Sequence, residues 1–194
     1  MSHNIHLPKL IAMTGFKRSG KDTGAKYLIE KYGYIRYAFA DALKVACSEI
    51  FMLSKEQLDG NEKETSDERW GGLSARKIFQ GFGTEMMRHK LGEVFPELKE
   101  LSNYLWTYRF ELWYKDLLKK NPNARVIVTD LRFANEEEIL KKYNAFIIKV
   151  NRSSITNIDN HQSEMGILQI KEDVLLKNDS TIDDYYNSIE DLFN

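Results

Sequence analysis

The chain has 194 residues with 28 Lys and Arg against 29 Asp and Glu, and 42% of it is hydrophobic, enough to bury a full core and to exclude intrinsic disorder as its main state. A formal net charge of −1 supplies no general basic field, so a polyanion would have to be held in a focused cleft. Cys47 is the single cysteine, which excludes an internal disulfide scaffold and a cysteine-based zinc site, and no apolar run approaches the ~20 residues that span a bilayer. Met1–Lys9 holds no apolar stretch of signal-peptide length, so a cytoplasmic protein is expected.

In chain order, residues 10–14 form the first short apolar run that ends at a turn, and they predict a buried strand. A glycine-rich turn follows, and Ala25, Leu28, Ile29 and Tyr32 then repeat at helical spacing. Residues 34–39 predict the second strand. The long stretch 41–123 is helical in pattern, with apolar faces at Leu43, Ala46, Cys47, Ile50 and Phe51, at Ile78, Phe79, Phe82 and Met86, and at Leu101, Leu105, Tyr108 and Leu112. The last of these helices carries a second apolar face, Trp106, Phe110, Trp113 and Leu117, which predicts burial on both sides. Residues 125–129, 145–150 and 173–177 predict three further strands, and Ile182, Tyr185, Tyr186 and Ile189 a closing helix after Ser180 and Thr181. Strands alternating with helices predict an α/β fold with a parallel sheet covered on both faces. A single domain is expected, with its core in residues 8–40 and 124–194 and a helical lobe in 41–123.

Gly15 to Lys21, GFKRSGK, matches G-x-x-x-x-G-K directly between the first strand and the first helix. Glycines at the two ends let successive backbone N–H groups turn inward on a phosphate at the helix N-terminus, where the dipole adds positive potential. Lys21 would bridge the β- and γ-phosphates, which makes Gly15, Ser19, Gly20 and Lys21 candidates for binding ATP. Asp22 stands where a Ser or Thr usually meets Mg²⁺, and a carboxylate there can hold the ion directly or through water, with Thr23 left for a phosphate. Lys17 and Arg18 are either a solvated turn or cations that neutralise charge between donor and acceptor.

Arg125 to Asp130, RVIVTD, is an apolar strand ending in an acid, the pattern that sets a carboxylate beside a phosphate loop to orient Mg²⁺. Leu131 follows where many ATPases have a water-activating Glu, which favours transfer to a bound acceptor. Arg132 lies just beyond, at the carboxyl edge of the sheet.

These residues resemble the deoxynucleoside monophosphate kinases of phage and large DNA viruses, a branch of the P-loop nucleoside monophosphate kinases. The resemblance rests on residues 15–23 (GFKRSGKDT), 39–44 (FADALK), 82–88 (FGTEMMR), 129–136 (TDLRFANE), Arg152 and 161–164 (HQSE). It implies a five-stranded parallel sheet in order 2-3-1-4-5, ATP with Mg²⁺, a homodimer, and an acceptor-binding role for the helical lobe. Carried over by position, Lys17, Arg18 and Lys21 would serve the phosphates, and Asp22 and Asp130 the metal. Asp41, Lys44, Thr84, Glu85, Arg88 and Arg132 would serve the acceptor, while Phe82 is an aromatic that either stacks the acceptor base or belongs to the core. Arg152 would be a catalytic lid residue over ATP, and Asn178 would lie where the adenine passes. His161 and Glu164 read as local capping or as a metal site.

The competing readings are a phosphomevalonate kinase-like enzyme, which shares the basic loop and the Ser-Glu after the fourth strand, and a nucleotide-binding module without phosphotransfer. Lys119-Lys120 and Lys141-Lys142 are short pairs that read as solvated helix ends, so nucleic-acid binding is not expected.

Overall fold

The first strand, β1 (Leu10–Thr14), is buried at every position, as a central strand covered on both faces must be. A computed structural model describes residues 6–156 and 161–194 of the chain. After the loop that follows β1, α1 (Lys21–Tyr32) ends at Gly33, whose left-handed conformation (φ 70°) directs its N–H to the Ile29 carbonyl at 3.0 Å. β2 (Ile35–Tyr37) is shorter than the expected 34–39, because pairing with its neighbour stops at Tyr37 and Phe39 already caps the next helix.

That helix is α2 (Ala40–Phe51), followed by α3 (Lys55–Asp59), the hairpin strands β3 (Ser66–Asp67) and β4 (Leu73–Ser74), and α4 (Ala75–Gln80). α4 runs into a wider-wound helical stretch, Gly81–Lys90, and then into α5 (Leu91–Val94) and α6 (Lys99–Ser102). The long helix α7 (Leu105–Lys120) precedes β5 (Val126–Val128), α8 (Ala134–Lys142) and β6 (Phe146–Asn151). The chain closes with α9 (Gln162–Met165), β7 (Val174–Lys177) and α10 (Ile182–Glu190). Thr181 caps α10, its hydroxyl accepting the Asp184 N–H at 3.2 Å.

Five strands pair in parallel in the order β2-β5-β1-β6-β7. Counted among themselves they follow the expected 2-3-1-4-5; the labels differ because the β3–β4 hairpin, which hydrophobic periodicity did not reveal, intervenes. The register sets Leu10 against Val126, Ile11 against Phe146 and Val150 against Leu176. On one face of the sheet, Met13, Leu28, Ile148, Tyr185 and Ile189 form a buried cluster with Phe193. Full burial of a Leu or Ile side chain is worth about 1.5–3 kcal/mol, so this cluster is what holds α1 and α10 on the sheet.

The chain divides into two compact units: the residues up to Ala38 with Glu111–Asn194, and Phe39–Phe110. The second has its own core of Cys47, Leu53, Ala75, Ile78 and Phe79. The boundary falls within α7, earlier than the expected 123. From Glu111 onward the helix packs on the sheet unit: Trp113 lies 4.6 Å from Tyr37 between ring centroids, and Tyr114 lies 5.1 Å from Tyr143. The Glu111 carboxylate accepts from Lys142 and from the Tyr143 hydroxyl.

Two helices present apolar residues that their own chain leaves exposed. Ile50 is exposed although its periodicity placed it with the core of α2. On α7 only the face with Phe110 and Tyr114 is buried, whereas Tyr108 and Leu112 are about half exposed, at 45% and 53%. Periodicity identifies an apolar face; it carries no information on whether anything covers it.

Candidate active site

The loop between β1 and α1 is held in a shape its sequence demands. Gly15 has φ 145°, and a β-carbon there would come within 2.5 Å of the Val150 carbonyl oxygen and 2.8 Å of Ser19 Oγ. Gly20 has φ 99°, and Arg18 is itself left-handed at φ 66°. This alternation of backbone conformations, closed by Ser19 N–H to the Phe16 carbonyl at 3.1 Å, builds an anion-binding concavity at the start of α1. Ser19 Oγ is buried with no hydrogen-bond partner among the described residues, so the loop retains unused polar capacity.

The loop is braced from the far end of the chain. Asn178, just after β7, donates its side-chain amide N–H to the Ser19 carbonyl at 2.8 Å, and the Tyr185 hydroxyl of α10 donates to the Gly20 carbonyl at 3.1 Å. Burial pushes the Tyr185 phenol above its ordinary range, which keeps it a donor. Asn178, expected where the adenine passes, is bonded through its amide to the phosphate loop. Tyr185 had registered in the sequence only as a core position, since nothing local marks a hydroxyl that reaches a carbonyl 165 residues away.

Lys21 opens α1 with its side chain only 9% exposed, and burial pushes its ammonium pKa below the ordinary lysine value. Asp22, whose side chain is exposed, opposes this from 3.8 Å, and Asp130 and Glu164 act in the same sense; Arg132 acts against it. Lys21, Asp22, Asp130 and Arg132 are thus gathered where β1 and β5 end. The donor set fits Mg²⁺, which takes one or two carboxylates and completes its shell with phosphate oxygens and water. Among the described residues no group of three or more His, Cys, Asp or Glu could cage a metal by itself.

Lys17 and Arg18 are exposed in the loop, and Thr23 is exposed in the first turn of α1. Arg152, after β6, is exposed, and its charge helps to hold Asp179 below the ordinary carboxylate range, after the Ser153 hydrogen bonds that dominate that shift. Arg132 is held by its backbone N–H to Glu136 Oε2 at 3.0 Å and by an ion pair from Nη1 to Glu164. His161 caps α9, its Nδ1 accepting the Ser163 N–H at 3.2 Å, so the capping alternative describes the histidine while Glu164 reaches Arg132.

Within the second unit, Thr84 and Arg88 are both buried and lie four residues apart along the wide helical stretch, whereas Glu85 is exposed. Phe82 meets Phe51 edge-on at 6.5 Å in the lobe core. Lys44 is engaged by Asp59 at 2.6 Å, a partner the sequence did not reveal, and Asp41 is half-buried in the first turn of α2.

A parallel sheet with a phosphate loop after its central strand, and with an acid and an arginine after the neighbouring strand, defines a P-loop nucleotide-binding protein of the kinase class. The profile of the deoxynucleotide monophosphate kinase family matches residues 9–73 and 51–189. Over 183 residues, 93% of each chain, the sequence is 43% identical to a protein of Acanthamoeba polyphaga mimivirus named as a deoxynucleotide monophosphate kinase. It is 22% identical to the deoxynucleotide monophosphate kinase of Escherichia phage RB69 (94% and 98% covered) and 21% identical to that of Enterobacteria phage T4 (94% and 97%). The chain belongs to the deoxynucleotide monophosphate kinase family. The dephospho-CoA kinase from Campylobacter jejuni superposes with a TM-score of 0.47 at 14% identity, covering 96% of each chain.

Proposed function

We propose that the protein transfers the γ-phosphoryl group of ATP to a deoxynucleoside monophosphate, giving ADP and a deoxynucleoside diphosphate for DNA precursor synthesis. The observation that carries this reading is the phosphate loop folded around a buried Lys21 in a chain of this family. An acceptor phosphate monoester has its second pKa near ~6, so its oxygen is already an anionic nucleophile at neutral pH and needs no general base. A lone pair of that oxygen forms the new bond to the γ-phosphorus, the bond to the β,γ-bridging oxygen breaks, and ADP leaves with that electron pair.

The protein's task is to align two anions and offset their repulsion. The loop N–H groups and Lys21 hold the donor phosphates, with Gly15, Ser19, Gly20 and Thr23 as the ATP-binding positions. Lys17, Arg18 and Arg152 neutralise charge. Asp22 and Asp130 would hold Mg²⁺, which draws the donor phosphate charge together when bound. Asp41, Lys44, Phe82, Thr84, Glu85, Arg88 and Arg132 serve the acceptor. A phosphomevalonate-type acceptor or a non-catalytic module finds no support in the relatives' names.

Exposed Tyr108 and Leu112, four residues apart on α7, support a homodimer through this face. The mimivirus and phage relatives support a viral enzyme, and we assign its work to the host cytoplasm.

A coupled ADP-release assay across deoxynucleoside monophosphates, ribonucleoside monophosphates and phosphomevalonate tests the reaction. ADP release that depends on a deoxynucleoside monophosphate is expected; turnover without any acceptor refutes it. Light scattering that found only monomer at high concentration would refute the dimer.

A further inference from the structure

Glu164 carries a charge into a buried position, which calls for an account of what the charge does there. Its side chain is only 3% exposed and is ion-paired to Arg132, yet buried ion pairs are often no more stabilising than apolar residues of the same volume. The pair spans 32 residues, and its two ends are independently fixed. On one side, Glu136 Oε2 accepts the backbone N–H groups of Arg132 at 3.0 Å and of Phe133 at 3.2 Å. On the other, Gly166 sits directly on the Arg132 backbone, where a β-carbon would overlap the Arg132 carbonyl oxygen. The turn that carries Glu164 is therefore docked on the segment that carries Arg132, and His161 starts that turn by capping α9.

Lys21 feels both members of the pair, Arg132 and Glu164, with opposite signs. Two cations close together, one of them on a buried lysine, repel each other until an anion arrives. We propose that Glu164 is a positioning residue for phosphoryl transfer: it holds the Arg132 guanidinium in place beside Lys21 and balances their charge until substrate phosphates take over that role. A guanidinium presents a planar fork of donors, so a carboxylate on Nη1 sets the plane in which the remaining N–H groups meet a phosphate. Preorganisation of this kind acts on the transition state more than on ground-state binding. This inference rests on the reading of Arg132 as a phosphate-binding residue.

The test compares full-length Arg132→Lys, Glu164→Gln, Glu164→Asp and the Arg132→Lys/Glu164→Gln double variant in the ADP-release assay, with a thermal melt of each. Gln keeps the size and an acceptor oxygen but removes the charge. Glu164→Gln is expected to lower kcat about ten- to a hundredfold with little change in KM for ATP at a temperature where the variant is folded. Glu164→Asp should recover part of that loss because it restores the charge. The double variant should be no worse than Arg132→Lys within about twofold, since residues acting through one contact are non-additive. Losses that multiply in the double variant, or a lowered melting temperature with kcat retained in Glu164→Gln, would overturn the proposal. Full kcat in Glu164→Gln alongside a crippled Arg132→Lys would overturn it while leaving the site reading intact. Full activity in Arg132→Lys would overturn both. Should Glu164→Gln fail to fold, Glu164→Asp carries the kinetic comparison with Arg132→Lys.

Discussion

Replacing Lys21 by Met separates what the loop does for catalysis from what it does for the fold. The ammonium sits on a side chain only 9% exposed, and its nearest described carboxylate, Asp22, lies 3.8 Å away with its own side chain 82% exposed. With its carboxylate partner out in solvent at 3.8 Å, the pair gains too little to offset the desolvation that lowers the lysine pKa. Met fills a similar volume without a charge, so Lys21→Met should melt at or above the wild-type temperature. The pH dependence has a definite sign. Because the folded-state pKa lies below the unfolded value of ~10.4, charge on Lys21 costs stability at neutral pH, and that cost disappears as pH rises through the lowered pKa. The stability advantage of Lys21→Met should thus be largest near neutrality and shrink toward pH 10. Catalysis should move the other way. Removing one preorganised cation from developing phosphoryl charge costs on the order of 3–4 kcal/mol, a loss of about 10²- to 10³-fold in kcat. Coupled ADP release and urea melts at pH 7 and pH 9.5 measure both. Near-full kcat, or a stability loss that grows at neutral pH, would refute the reasoning.

Gly15→Ala should destabilise the protein by about 1–3 kcal/mol or more, through left-handed strain and a clash with the Val150 carbonyl, and should abolish nucleotide binding; a denaturation midpoint and an ADP titration check this. Arg88→Lys and Arg132→Lys should each raise KM for the deoxynucleoside monophosphate more than KM for ATP and lower kcat/KM about ten- to a hundredfold, from loss of a charge-assisted contact of about 1.5–3 kcal/mol. A selective loss for ATP would move these arginines to the donor side. Glu111 is held down to about 2 by its hydrogen bonds from Lys142, Tyr143 and Lys115, so its contribution is complete above the unfolded carboxylate value of ~4.3 and disappears as pH falls through about 2. Glu111→Gln should be less stable than wild type at pH 6 and converge with it near pH 2, as read by urea unfolding.

The phosphate loop was legible in the sequence because it is local. A tight anion-binding turn needs glycine where φ is positive and a lysine at the start of the helix, and Gly15, Gly20 and Lys21 supply these within seven residues between a buried strand and a helix. The inner strands β1 and β5 were legible for the same reason, since a strand covered on both faces reads as a continuous apolar run; β2 and β7 lie at the edges and are only partly buried, yet the expected boundaries of all five fall within a residue or two of those observed. Tertiary structure alone decided what depends on meetings between distant segments. Nothing near Asn178 or Tyr185 announces that both reach the loop carbonyls, across 159 and 165 residues. Nothing near Lys44 announces its ion pair with Asp59, and HQSE could be capping or metal chemistry until Glu164 was seen on Arg132. The apolar faces of α7 were equally visible in the sequence, yet only packing determined that Phe110 is covered and Leu112 is open. Backbone conformation and hydrophobic periodicity are set by neighbours within a few positions and survive in sequence; ion pairs, long hydrogen bonds and the covering of a face are set by which elements the fold brings together.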